Sequence, residues 1–113
     1  MLPLMSPQAQ AHAIIRRSEP AAGARVPAGP VRLRLLFNSR LDHERSALLI
    51  APARLGGGGT ADEIRVPLAP DSPPAELIGT TLPLTAGQWR IRWQVLALDG
   101  HITRGDIPFT VAA

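Results

Sequence analysis

The chain has 113 residues and a mass of 12.0 kDa, the size of a single domain that can bury a core without disulfides or a structural metal. It contains no Cys, which removes disulfides, thiolate nucleophiles and thiolate metal sites together and leaves the redox compartment open. All 12 basic residues are Arg, so a phosphate-loop lysine, a Schiff-base lysine and a lysine general base are excluded. Against nine acidic residues they give a net charge of +3, scattered from Arg16 to Arg104 without a dense run. With Phe37, Trp89, Trp93 and Phe109 as the whole aromatic complement, this distribution argues against a nucleic-acid surface, which needs a clustered basic face and stacking rings.

Residues 1–11 carry no charge and end in Ala9-Gln10-Ala11, the small-x-small pattern after which signal peptidase cuts. They read as the remnant of a secretion leader or a disordered extension, lacking a basic n-region and a full apolar stretch. A cut there leaves His12 first and a domain of residues 12–113. No later stretch approaches the ~18 apolar residues that span a bilayer.

Along the rest of the chain the dominant period is two. Val31, Leu33, Leu35 and Phe37 alternate with Arg32, Arg34 and Leu36, which predicts a strand with one wet face over 31–37. Over 88–95, Trp89, Ile91, Trp93 and Val95 point one way and Gln88, Arg90, Arg92 and Gln94 the other, a central core strand. Shorter strands are expected at 13–17, 47–51, 63–66, 75–78 and 107–111. Twelve Pro and ten Gly punctuate the gaps, and no window holds a sustained 3.6 period. The expectation is an all-β sandwich of about seven strands. The glycine run at 56–59 is a flexible connection, since no Gly-Lys-Ser/Thr follows it. Pro70, Pro73 and Pro74 mark a further loop.

Three histidines are the candidates for chemistry. His101 follows the core strand in Asp99-Gly100-His101. Asp-Gly alone signals a hairpin turn, but Asp99 and His101 stand at i and i+2, so in an extended stretch their side chains leave the same side and converge on one ion. A carboxylate with an imidazole is half a site for a borderline metal. The other half would come from His12 if it becomes the first residue, because a free α-amine and the imidazole of one residue chelate a metal in a single ring. That set suits Cu(II), with its tetragonal preference and its place at the top of the Irving–Williams order. Uncut, the nitrogen is an amide and the chelate vanishes. His43, between Asp42 and Glu44, reads as a solvated loop histidine with at most a weak surface metal site. Ser18, Ser39, Ser46 and Ser72 lie in turns or at strand edges outside any Gly-x-Ser-x-Gly elbow, so a Ser-His-Asp hydrolase is not expected, and nothing singles out a carboxylate pair for glycoside hydrolysis.

These residues together resemble the CopC-type periplasmic copper-binding domains. His12, followed by Ser18-Glu19-Pro20-Ala21-Ala22-Gly23, is similar to the mature start of that family, a terminal His leading into Ser-x-Pro-x-x-Gly. The 31–37 strand ending in Phe37-Asn38, the segment Leu84-Thr85-Ala86-Gly87-Gln88-Trp89-Arg90-Ile91-Arg92-Trp93, the Asp99-x-His101 pair and the closing Gly105-Asp106-Ile107-Pro108-Phe109-Thr110-Val111 follow in the family's order. The resemblance implies an immunoglobulin-like Greek-key β-sandwich or barrel that holds Cu(II) through the amine and imidazole of His12, the carboxylate of Asp99 and the imidazole of His101. It also implies a monomeric periplasmic copper carrier or buffer, in copper homeostasis or resistance, working beside a CopD-type inner-membrane protein and without catalysis of its own. The Met-rich loop of some members is missing, because Met1 and Met5 both precede the expected cut, so no thioether Cu(I) site is expected. Two other functions fit parts of the pattern. A terminal His with a second His also resembles the histidine brace of copper-dependent polysaccharide monooxygenases, which need a platform of exposed aromatics, and a metal-free interaction sandwich would use Asp99-Gly100 only as a turn.

Overall fold

The structure is a computed structural model that describes residues 13–53 and 62–113. The glycine run at 56–59, and with it the expectation of a flexible connection there, lies outside the described residues, as does His12. Among the described residues eight strands follow in order: β1 (Ile15–Glu19), β2 (Arg25–Val26), β3 (Arg32–Phe37), β4 (Ala47–Pro52), β5 (Ile64–Val66), β6 (Glu76–Thr80), β7 (Gly87–Leu96) and β8 (Ile102–Val111). They form a three-stranded sheet in the order β1-β3-β6 and a five-stranded sheet in the order β2-β8-β7-β4-β5. The chain passes from β3 into the second sheet, returns at β6 and crosses again to β7. The result is the all-β sandwich expected from the alternation, with the immunoglobulin-like build that the resemblance implies.

The two strongest alternating segments supply the centre. Leu33, Leu35 and Phe37 of β3 and Ile91, Trp93 and Val95 of β7 are all buried, together with Leu48 and Ile50 of β4, Leu77 of β6 and Ile107, Phe109 and Val111 of β8. Phe37 meets the indole of Trp93 edge to face, with centroids 5.1 Å apart, a contact that joins the two sheets. The opposite faces stay soluble through paired charge. On the three-stranded sheet, Arg34 lies 2.5 Å from Glu76 and 3.8 Å from Glu19. Its hydrogen bond to Glu76 and the charge of that carboxylate hold the guanidinium above its ordinary pKa. On the five-stranded sheet, Asp106 joins Arg90 and Arg92, and Arg92 reaches Glu63 at 2.9 Å. The buried Glu63 Oε2 accepts no hydrogen bond, so this last contact is an ion pair alone.

Two strands depart from the sequence pattern. The seven expected strands are present, and β2 is added: its two residues pair in parallel with the end of β8, too short a run to carry any period. β8 begins at Ile102 instead of 107, and its ten residues pair with β7 from Leu96↔Ile102 to Gly87↔Val111. Its first half has no apolar alternation because Gly105 fills an inward position opposite Trp93 and Thr103 another opposite Val95. Pro108 is tolerated inside β8 because its carbonyl accepts from Gly23 at 2.7 Å, so the position lacking an N–H faces β2 and leaves the β7 ladder intact.

Candidate metal centre

The long β7–β8 hairpin is closed by residues 97–101, and the closure puts Asp99 beside His101. The Gly100 amide donates to the Ala97 carbonyl and the Ala97 amide to the His101 carbonyl, both at 2.9 Å. Gly100 has φ 95, a left-handed conformation that side chains resist, so glycine between the two polar residues is a requirement of the turn. Asp99 Oδ1 accepts from the His101 amide at 3.1 Å, an Asx-type bond, and Oδ2 lies 3.2 Å from His101 Nδ1. The sequence offered a turn or a same-side pair in extended chain. The structure holds both at once, and the convergence comes from the turn rather than from strand alternation.

The turn rests on a braced loop. Leu98 donates to the Arg40 carbonyl, Asp42 donates to the Leu96 carbonyl, and Leu41 bridges Ala97. Ser46, 1% exposed, donates to the Asp42 carbonyl and accepts from the Leu96 amide. Composition alone marked Ser46 as a turn or edge serine, although it ties the loop to the last residue of β7.

From the other side comes the start of the described chain. Ala13 is buried, and its carbonyl accepts from the Thr103 hydroxyl at 2.9 Å, across 90 residues of sequence. Ile14 donates to Asn38 Oδ1 at 2.8 Å and accepts from the Asn38 amide at 3.0 Å. The backbone directly after residue 12 is therefore fixed beside β8, two residues beyond His101.

His43 corrects the sequence reading. It opens a 3-10 turn, His43–Arg45, and its Nε2 donates to the Glu76 carbonyl at 2.7 Å in a half-buried setting. It is a structural histidine, and Asp42, read as its metal-ligand neighbour, caps the turn and pairs with Arg45. His43→Ala should cost about 1–3 kcal/mol, because a half-buried carbonyl loses its donor. The midpoint of thermal unfolding should fall by about 4–8 °C per kcal/mol while bound copper stays at the wild-type level. Loss of copper in that variant would return His43 to the list of ligands.

Among the described residues no three His, Asp or Glu side chains stand close enough to hold a metal, and Asp99 and His101 stand together as a pair. No aromatic ring stands beside them as a platform. Phe37, Trp93 and Phe109 are buried, and Trp89, half-buried, donates to the Thr85 carbonyl near the far end of β7, roughly 24 Å along the strand from Leu96. No helix of the described residues is long and apolar enough to cross a membrane.

Fold and site thus define an immunoglobulin-like all-β sandwich with a carboxylate and an imidazole exposed where its longest hairpin turns. Residues 15–112 match the family model of the CopC domain, and the chain belongs to the CopC family. Copper resistance protein C of Pseudomonas syringae pv. tomato is 30% identical over 110 residues, covering 96% of this chain and 86% of that protein. The crystal structure of CopC from Methylosinus trichosporium OB3b is similar with a TM-score of 0.74 at 26% identity, over 89% of this chain and 94% of the other. That of PcoC from Escherichia coli, a methionine-rich copper resistance protein, is similar with a TM-score of 0.69 at 29% identity, over 89% and 99%.

Proposed function

We propose that residues 12–113 form a Cu(II) carrier or buffer of the periplasm, serving copper resistance and lacking catalysis of its own. Copper is its cargo, taken by the α-amine and imidazole of His12, the carboxylate of Asp99 and the imidazole of His101. The observation that carries this reading is the bond from Thr103 to the Ala13 carbonyl, which brings the residue after His12 alongside the Asp99–His101 turn. Two nitrogens from one residue, a second imidazole and a carboxylate make a donor set for tetragonal copper. Both Met of the chain lie in residues 1–11, so the carrier has no thioether donors for Cu(I) and differs here from the methionine-rich PcoC. The lack of an aromatic platform beside the turn favours carriage over oxidation of a polysaccharide. A CopD-type inner-membrane protein is the proposed recipient, and the carrier works as a monomer.

Copper capture must displace protons, which sets the sign of the pH dependence. An ordinary imidazole titrates near ~6.5 and an α-amine near ~7.7–8.0, and only the deprotonated forms bind metal. Affinity should therefore fall as pH falls, because each nitrogen donor must give up its proton before it can take copper. Chelator-competition titrations at about pH 7.5 and about pH 5.5 test this. A flat profile, or copper held at about pH 4 after both His12 and His101 are replaced, would sink the nitrogen ligand set.

A further inference from the structure

We propose that Thr103 and Asn38 are positioning residues of the copper site: their bonds to Ala13 and Ile14 hold the N-terminal segment in place before metal arrives, so that residue 12 is presented to Asp99 and His101. The inference rests on the ligand set proposed above and adds the groups that act on it without touching copper. Chain starts ordinarily fray, and a ligand on a frayed segment must be ordered at the moment of binding. Here that segment is already fastened at consecutive residues. The Thr103 hydroxyl donates to the Ala13 carbonyl, and Asn38 both accepts from the Ile14 amide and donates to its carbonyl.

The two fasteners grow from the elements that build the turn. Thr103 lies in β8 two residues after His101, on the same continuous backbone. Asn38 follows β3 and is two residues before Arg40, whose carbonyl accepts from Leu98 in the turn itself. One loop thus holds the N-terminal segment at Asn38 and the metal turn at Arg40, and the backbone that carries His101 runs directly into β8 and Thr103. Ala13 suits this place because its small side chain is almost fully buried, which leaves the backbone close enough for both bonds. Both partners of each of these bonds lie at Ala13 or later, so a chain cut before His12 keeps the residues that make them.

Thr103→Val removes the hydroxyl at nearly constant shape, Thr103→Ser keeps it, and Asn38→Ala removes the acceptor for Ile14. Each is made in a chain starting at His12 and again in one starting at Ala13 whose α-amine is acetylated. Cu(II) affinity is read by chelator competition, the coordination by electron paramagnetic resonance, and the metal-free thermal midpoint alongside. Thr103→Val and Asn38→Ala should weaken Cu(II) binding by about tenfold to a hundredfold in the His12 chain, the range for losing a group that orients a ligand. They should also alter its spectrum, whereas Thr103→Ser should stay near wild type. In the acetylated Ala13 chain the same substitutions should cost no affinity, because the fastened segment carries no donor to lose. If removing His12 weakens copper but Thr103→Val does not, or if Thr103→Val weakens both chains equally, the positioning role is overturned while the ligand set stands. If removing His12 costs nothing, both fall together.

Discussion

A chain beginning at His12 should bind Cu(II) about a thousandfold more tightly than the 113-residue chain beginning at Met1, because cutting after Ala11 creates the ligand rather than merely exposing it. In the longer chain the nitrogen of His12 is part of a peptide bond, whose lone pair is delocalised into the carbonyl and is a far poorer donor than an amine while the proton stays on. After the cut it is an amine on the same residue as an imidazole, and the second nitrogen then binds with the high effective concentration of an intramolecular partner. Losing an outer-shell partner already costs about 10–100-fold in metal affinity, so losing a donor of the chelate should exceed that. The anchored carbonyl of Ala13 makes the comparison clean, since both chains share the same fixed backbone next to β8. Chelator competition on the two purified forms at neutral pH measures the ratio, and nitrogen hyperfine structure in the resonance spectrum counts the donors. Equal affinities with equal donor counts would remove the amine from the site.

How much of this was legible in the sequence depends on whether the physics was local. β3 and β7 declare themselves because alternate side chains sort by polarity, and burial of Leu33, Leu35, Ile91, Trp93 and Val95 follows that sorting residue by residue. The Asp99–His101 pair was legible as a spacing, although the geometry that unites it is a turn built on Gly100 rather than a pleated strand. Contacts between distant segments left no trace. Nothing in the residues around Thr103 points to a carbonyl 90 positions earlier, and nothing around His43 points to the Glu76 backbone. Ser46 is hidden for the same reason: its hydroxyl serves two backbone groups that only the closed sandwich brings together. The front of β8 escaped because its inward positions are filled by a threonine that bonds backbone and by a glycine, and neither adds to an apolar period.

Gly105→Ala should lower the thermal midpoint by up to roughly 20 °C, a large effect for one methyl group on a strand whose backbone would accept any residue. The side chain of Trp93 lies across Gly105. A Cβ built there falls against the indole Cζ2, 2.7 Å from Cε2 and 2.9 Å from Nε1, where non-bonded carbon atoms settle at ~3.5–4.0 Å. The indole has little room to retreat, since Trp93 is buried and held edge-on by Phe37. Overpacking a tight core costs about 1–3 kcal/mol, and the reduced freedom of the unfolded chain returns at most about 0.4–1 kcal/mol. Each remaining kcal/mol shifts the midpoint of a domain this size by about 4–8 °C. Gly105→Val adds two methyl groups at the same place and should fall further. Trp93→Leu separates the clash from any general weakness of β8: it costs stability alone, but in the double variant the penalty for Gly105→Ala should shrink, giving a coupling of about 0.5–3 kcal/mol. Additive losses, or a Gly105→Ala protein as stable as wild type, would mean that the indole does not need the glycine beneath it.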